Sequence, residues 1–280
     1  MPRAMQRLVH SVRATQTVAT NLASDLSLFF KRTRFGPALR QCDVDGVRML
    51  VRAEEDVGHV IYFYGTYEES ESLAFLSEIR DSDICLDVGA NVGFYTLTMA
   101  RRASCGTVHA FEPVQLNYSL LSTNVLLNHF QNVTINSFVV GDLVGATPFV
   151  VTEDGAFSSM VDTGRNPVNK CVTLPATTID HYVDNHRLPR VDCIKVDVEG
   201  AEEKVISGAH RLLADQQRRP RLVMLELYDP MLACYGSSTA KMLEIMRGYG
   251  YSPFITKRGG LVPLGEHSPD PPYNVHFRIA

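Results

Sequence analysis

The residues best suited to chemistry in this chain are acids placed where apolar runs end. Asp87 closes Ile84-Cys85-Leu86, Glu112 follows Thr107–Phe111 and Asp142 follows Val133–Val140. Asp197 and Glu199 follow Val191–Val196, and Glu226 follows Arg221–Leu225. A carboxylate at such a tip can hold a cation, accept ribose hydroxyls or take a proton from a nucleophile. The surroundings of Asp87 are the most informative. Ile84–Gly93 reads Ile-Cys-Leu-Asp-Val-Gly-Ala-Asn-Val-Gly: a run suited to a buried strand, an acid, and a turn bracketed by Gly89 and Gly93 around Ala90 and Asn91. Phe94–Ala103 then has helical character, and the N–H groups at its start favour an anion. Gly89 is expected to let backbone approach a ligand, and Gly93 to let the helix pack close to the strand.

Two cofactor classes use such a cradle. A dinucleotide site wants Gly-x-Gly-x-x-Gly and presents amides to a pyrophosphate. Here an acid comes first and Asn91 stands at the central glycine, which disfavours an NAD oxidoreductase. An acid at the strand end suits the ammonium and sulfonium of S-adenosylmethionine (SAM), whose carboxylate matches the helix start. Glu112, 25 residues after Asp87, sits where a ribose is gripped. Asp142 is read either as an adenine contact or as a turn acid. Tyr67 and Glu68, opening a helix just before the cradle strand, either line the cofactor site or complement the helix dipole.

The elements that must position these groups follow from periodicity. Residues 41–80 read as strands, including His59–Tyr64, and a helix over Tyr67–Ile79, all packed on the core. Residues 81–280 form the ligand-binding domain, with five strands alternating with helices. Residues 143–175 are an inserted hairpin or loop, whose Phe157-Ser158-Ser159-Met160 places Ser158 and Ser159 as substrate contacts. Tyr251–Thr256 and Val275–Ile279 close as two antiparallel strands around a Pro- and Gly-rich loop over 257–274. The pattern predicts an α/β fold with a doubly wound, mostly parallel sheet of seven strands and a terminal antiparallel hairpin. Ligands bind outside the carboxyl ends of such strands, where all five acidic tips converge.

Composition narrows the class. The chain has 280 residues, 45% hydrophobic and 21% charged, with a formal net charge of −4. That gives no global footprint for nucleic acid. Seven basic residues against Asp25 make residues 1–40 net +6, so 41–280 carry −10. This basic segment reads as a helical extension, packed on the domain or used in a homodimer contact. A lid, or a patch for an acidic partner, is the alternative. No apolar run approaches the ~20 residues needed to span a bilayer, and no signal peptide is evident. Six scattered cysteines without a C-x-x-C pair point to a reducing, cytoplasmic compartment.

Asp87-Val-Gly-Ala-Asn-Val-Gly93, Phe111-Glu-Pro113 and Ile194-Lys-Val-Asp-Val-Glu-Gly-Ala-Glu202 together resemble the FkbM family of SAM-dependent methyltransferases. The resemblance covers about residues 60–230. Phe157-Ser-Ser-Met160 and Thr177-Thr-Ile-Asp180 are also similar to it. It implies a class I methyltransferase, Rossmann-like fold and methyl transfer, mostly to oxygen on sugars, polyketides and related natural products of secondary metabolism. It implies that Asp87, Gly89 and Asn91 hold the amino-acid end of SAM, Glu112 the ribose and Asp142 the adenine. Asp197 and Glu199 would face the methyl group and acceptor.

Methyl transfer from a sulfonium is an in-line displacement, and a weakly nucleophilic alcohol gains from a base. Glu199 or Asp197 is the expected base. Lys195 is a further candidate, facing the same side as Asp197 by strand alternation, with pairing to a carboxylate as its ordinary role. Asp197, Glu199 and Glu226 also make a Mg²⁺ ligand set, the competing mechanism to a side-chain base. His181 is a minor alternative base. The expected partner is a small-molecule hydroxyl acceptor. The rival classes are an N-methyltransferase, including one acting on protein lysine, and a non-catalytic SAM-fold module.

Overall fold

Leu222, Val223, Met224 and Leu225 are all buried, and alternate members enter different cores. The same holds at Cys85 and Leu86, and at Cys193 and Ile194. Strands apolar on both faces belong at the centre of a sheet covered on both sides. In the computed structural model, which describes residues 39–257, 260–265 and 273–279, they do. The basic extension lies outside these residues, apart from Leu39 and Arg40.

A hairpin of β1 (Leu39–Val44) and β2 (Val47–Arg52) is followed by α1 (Asp56–Tyr64) and α2 (Glu69–Ser77). The alternating part begins with β3 (Ile84–Val88), α3 (Phe94–Arg102), β4 (Thr107–Phe111), α4 (Gln115–Leu127) and β5 (Val133–Asn136). Next, β6 (Val139–Val140), β7 (Gly145–Thr152) and β8 (Val168–Thr177) make a separate three-stranded sheet. The chain returns through α5 (Ile179–Asn185), β9 (Cys193–Val196), α6 (Glu202–Ser207), α7 (His210–Ala214) and β10 (Leu222–Glu226). After α8 (Asp229–Cys234) and α9 (Thr239–Gly248) come β11 (Tyr251–Lys257), β12 (Gly260–Pro263) and β13 (Asn274–Ile279).

The main sheet runs β12-β11-β13-β10-β9-β3-β4-β5. The run from β10 to β5 is parallel, and the β13, β11 and β12 pairings are antiparallel. This is the expected doubly wound, mostly parallel sheet, with eight strands rather than seven. The extra strand is β12, short and ending in Pro263, as suits an edge position.

Two further expectations are corrected. His59–Tyr64 belongs to helix α1, not to a strand. Its aromatic and β-branched residues favour a strand, but tertiary contact overrides them. Gly58 sits so near the Arg52 carbonyl that a methyl group there would lie 2.2 Å from its oxygen. Left-handed Gly65 ends the helix. Val133–Val140 is also not one strand. Its ladder with β4 stops at Asn136, and Val139-Val140 pair with Ala176-Thr177 in the small sheet.

Candidate active site

The strand connections diverge on either side of β3 and β9, so a crevice opens at their carboxyl ends. Asp87 pairs in register with Lys195, and Val88 with Val196. Beyond them the two turns come close together. Gly89 has φ +81°, and a methyl group there would lie 1.8 Å from the Asp197 carbonyl oxygen. Gly89 therefore first admits the backbone after β9. Gly93 similarly admits Leu121 of α4, at 2.5 Å from its would-be methyl, rather than the strand. A cavity of about 410 Å³ lies over the turns.

One side of it is built around Glu112. Glu112 Oε2 accepts the Asn91 N–H and Oε1 the Val114 N–H, both at 2.8 Å. Burial pushes this carboxyl up to about 7, while the two N–H bonds restrain the rise. Gly89, Asn91 and Glu112 line the cavity; Ala90 and Gly93 do not. Phe138, Val139, Val140 and Phe149 supply an apolar wall. Asp87 is fully buried behind the cavity lining. Its Oδ2 accepts the Thr96 hydroxyl at 2.5 Å, and Oδ1 has no hydrogen-bond partner among the described residues. Burial raises its pKa against the pull of Lys195.

Tyr67 reaches the cavity, but Glu68 accepts bonds from the Tyr95 hydroxyl at 2.9 Å and Asn274 at 2.8 Å. The Asp142 carboxylate takes Lys204 at 2.9 Å and lies outside the cavity lining. The break at Asn136 explains this, because the chain carrying Asp142 leaves the main sheet before reaching it.

On the opposite side, one oxygen each of Asp197, Glu199 and Glu226 lies within 4.8 Å of the others. All three residues line the cavity. Lys195 Nζ is 3.0 Å from Asp197 Oδ2 and 4.9 Å from the centre of the Tyr95 ring. Burial opposes the ammonium charge, but Asp197, Asp87 and Glu68 outweigh it and raise the Lys195 pKa. Lys195 lies behind the lining, where its ammonium faces Asp197 and Asp87. Burial also works against the Asp197 carboxylate, but Lys195, a hydrogen bond from Glu226 and Arg165 together outweigh it, so Asp197 is lowered. Glu226 moves the other way, raised by burial and by Asp197. The two neighbouring carboxyls are thus pushed in opposite directions. Burial carries Glu199 up to about 7, held back by Arg165.

Glu199 adopts a left-handed backbone, φ 56°, at the apex of its turn. The turn is fastened by Glu202, whose Oε1 accepts the Val198 N–H at 3.1 Å and the Gly200 N–H at 3.3 Å. Arg165 Nη1 donates to Glu199 Oε2 at 2.5 Å. Ser158 lines the cavity, with Oγ 3.1 Å from the Thr152 backbone nitrogen. Ser159 is buried away from it on the Val161 carbonyl. His181 bonds Asn185 on the surface.

Sequence reasoning missed Arg165, Tyr273 and the α1 residues Asp56, Val57 and Val60, which all line the cavity. Arg165 carried one signal: it and Lys170 are the only cations in the polar stretch Thr152–Lys170. The α1 residues were hidden by the strand reading.

A family model described as "Methyltransferase FkbM domain" matches residues 87–253. "Methyltransferase 1" of Beauveria bassiana is 29% identical over 146 residues, covering 46% of this chain and 59% of that protein. The 31-O-demethyl-FK506 methyltransferase FkbM of Streptomyces tacrolimicus is 23% identical over 208 residues, covering 62% of this chain and 75% of that one. Among solved structures, M. jannaschii TYW2 in complex with AdoMet aligns with TM-score 0.44 and 12% identity, over 86% of this chain and 87% of that one. The family match exceeds half of the chain and takes in the cradle, Glu112 and the Asp197–Glu202 turn; this chain belongs to the FkbM methyltransferase family.

Proposed function

We propose that the protein is a SAM-dependent O-methyltransferase acting on a hydroxyl of a small molecule, such as a sugar or polyketide-like compound. The observation that carries this reading is the placing of Glu199 across one cavity from Glu112. The Glu199 carboxyl, near 7, faces the open space on one side, and the Glu112 carboxyl, anchored by two backbone N–H groups, faces it on the other. The residues present fit the cofactor. Glu112 keeps lone pairs for ribose hydroxyls, Phe138–Val140 and Phe149 suit an adenine, and the buried Asp87 carboxylate retains an unpartnered oxygen under the cradle. Bound SAM would supply an electrophilic methyl carbon on a sulfonium, a leaving group able to keep the S–C electron pair.

The chain's own residues then have distinct tasks. Glu199 accepts the hydroxyl proton; a carboxyl near 7 is suited to that at neutral pH. Asp197 and Glu226 orient the acceptor, and Lys195 balances the charge of Asp197. Asp197, Glu199 and Glu226 also have the oxygen chemistry of a Mg²⁺ site. Two of the three already face Lys195 and Arg165, which supports the side-chain base. The 31-O-demethyl-FK506 relative, named for an oxygen position, also supports O-methylation.

Calorimetric titration with SAM, S-adenosylhomocysteine and NAD, each with Mg²⁺ and with EDTA, tests the cofactor. Micromolar binding of the first two without NAD binding is expected. Glu112→Gln should weaken both by about tenfold, as for a lost buried hydrogen bond. Unchanged affinity in that variant would remove Glu112 from the site.

A further inference from the structure

Arg165 is the only lysine or arginine among the described residues lining the cavity. Its guanidinium carbon lies 4.6 Å from the centre of the Phe157 ring and 5.8 Å from that of Tyr228. Two aromatic neighbours hold a flat cation in place better than solvent does. The side chain is only 26% exposed, so its charge is partly stripped of water. A guanidinium carries five N–H donors. One reaches Glu199 Oε2, and no other Arg165 side-chain bond is made to a described residue. Most of its donors thus stand at a ligand cavity, in the fork geometry that matches a carboxylate.

We propose that Arg165 selects the acceptor, and that the acceptor carries a carboxylate beside the hydroxyl that is methylated. This rests on the methyltransferase reading above. The acceptor carboxylate pairs with the guanidinium fork next to Glu199. Pairing there draws Arg165 away from Glu199, and the Glu199 carboxylate turns to the hydroxyl. Arg165 then couples recognition to the release of the base. A neutral alcohol leaves the Arg165–Glu199 pair intact. Arg165 reaches the site from the segment between β7 and β8, outside the main sheet, so acceptor choice can differ between chains with the same cradle.

The test uses protein saturated with S-adenosylhomocysteine and matched pairs of probes: glucuronate with glucose, galacturonate with galactose, and 2-hydroxybenzoate with 2-methylphenol. Calorimetry measures binding, and S-adenosylhomocysteine release from SAM measures turnover. At least one acid should bind ten times or more tighter than its neutral partner. Arg165→Gln should cut that preference about 10- to 100-fold, the loss expected for a charge-assisted pair. Arg165→Lys should restore part of it, because charge remains without the fork. A rise in Tm on adding S-adenosylhomocysteine shows that each variant is folded. Binding of S-adenosylhomocysteine with no acid preferred over its neutral partner would overturn the proposal. So would a preference that survives Arg165→Gln. Absence of S-adenosylhomocysteine binding would instead overturn the cofactor reading, and this proposal with it.

Discussion

Two turns face each other at the centre of the sheet. The first follows β3, whose last residues are Asp87 and Val88, as Gly89-Ala90-Asn91; the second follows β9 as Asp197-Val198-Glu199-Gly200. Each carries a left-handed residue other than glycine, Asn91 at φ 49° and Glu199 at φ 56°. Each is fastened by a buried glutamate: Glu112 accepts the Asn91 N–H of the first, and Glu202 the Val198 and Gly200 N–H groups of the second. The difference lies in where the fastening comes from. Glu112 belongs to the neighbouring strand tip, so the first turn takes its shape only when β3 and β4 are paired. Glu202 is two to four residues beyond the groups it holds, so the second turn is fixed by its own chain. Asp87, in the strand before the first turn, is buried in the protein. The second presents Asp197 and Glu199 to the cavity, with side-chain partners, Lys195 and Arg165, from outside the turn. One turn is a rigid frame; the other carries exchangeable ion pairs.

The largest expected effect comes from closing the space between the turns. Gly89→Ala would put a methyl 1.8 Å from backbone and should cost about 4 kcal/mol or more, read by denaturant unfolding. Gly200→Ala, where the methyl would meet the Met231 carbonyl oxygen at 2.5 Å, should cost less. The reverse order would break the comparison. Glu199→Gln comes next. It should lower turnover at least 100-fold with SAM affinity nearly unchanged, as for loss of a general base. In the wild type, kcat/KM should fall tenfold per pH unit below about 7, because only ionised Glu199 can accept a proton. Wild-type turnover in the variant, or a flat profile, would remove Glu199 from the reaction.

Stability should respond to pH through the two fastening acids. Burial raises Glu112 to about 7 and Glu202 to about 8, from an ordinary value of 4.5. The folded protein therefore binds protons that the unfolded chain has released. Their contribution is full below about pH 4.5 and is lost as pH rises through 7 to 8. For Glu112 alone this amounts to at most about 3 kcal/mol. Unfolding free energies measured from pH 5 to 8 should decline less steeply in Glu112→Gln and in Glu202→Gln. Equal slopes in both variants and the wild type would show that neither acid is protonated in the fold. The smallest effect should come from Asp142→Asn. Losing the exposed Lys204 pair should cost under about 1 kcal/mol and leave SAM affinity within twofold by calorimetry. A large loss of affinity would return Asp142 to the cofactor site.

The strand-turn-helix of the cradle was legible because its cues are local: an apolar run, an acid and two glycines within ten residues. Glu112, Asp197, Glu199 and Glu226 were legible as a set because parallel strands bring their carboxyl ends to one edge. Helix α1 was not. Its strand-favouring residues pointed one way, and the close seat of Gly58 on Arg52 is a contact that local pattern does not contain. Asp142 misled for a related reason. Val133–Val140 is evenly apolar, and nothing within it marks the change of sheet at Asn136.

By itself, the sequence determined the alternating α/β order, the glycine turn and the acids at the strand tips. Periodicity and turn chemistry act over a few residues and are written there directly. Tertiary structure alone decided which acids meet and in what state of charge. It set Lys195 beside Asp197 and Asp87 and brought Arg165, 34 residues away in sequence, onto Glu199. It also buried Glu112 deeply enough to hold its proton near neutrality. Burial and charge pairing depend on the assembled surroundings, and those exist only when distant segments have packed together.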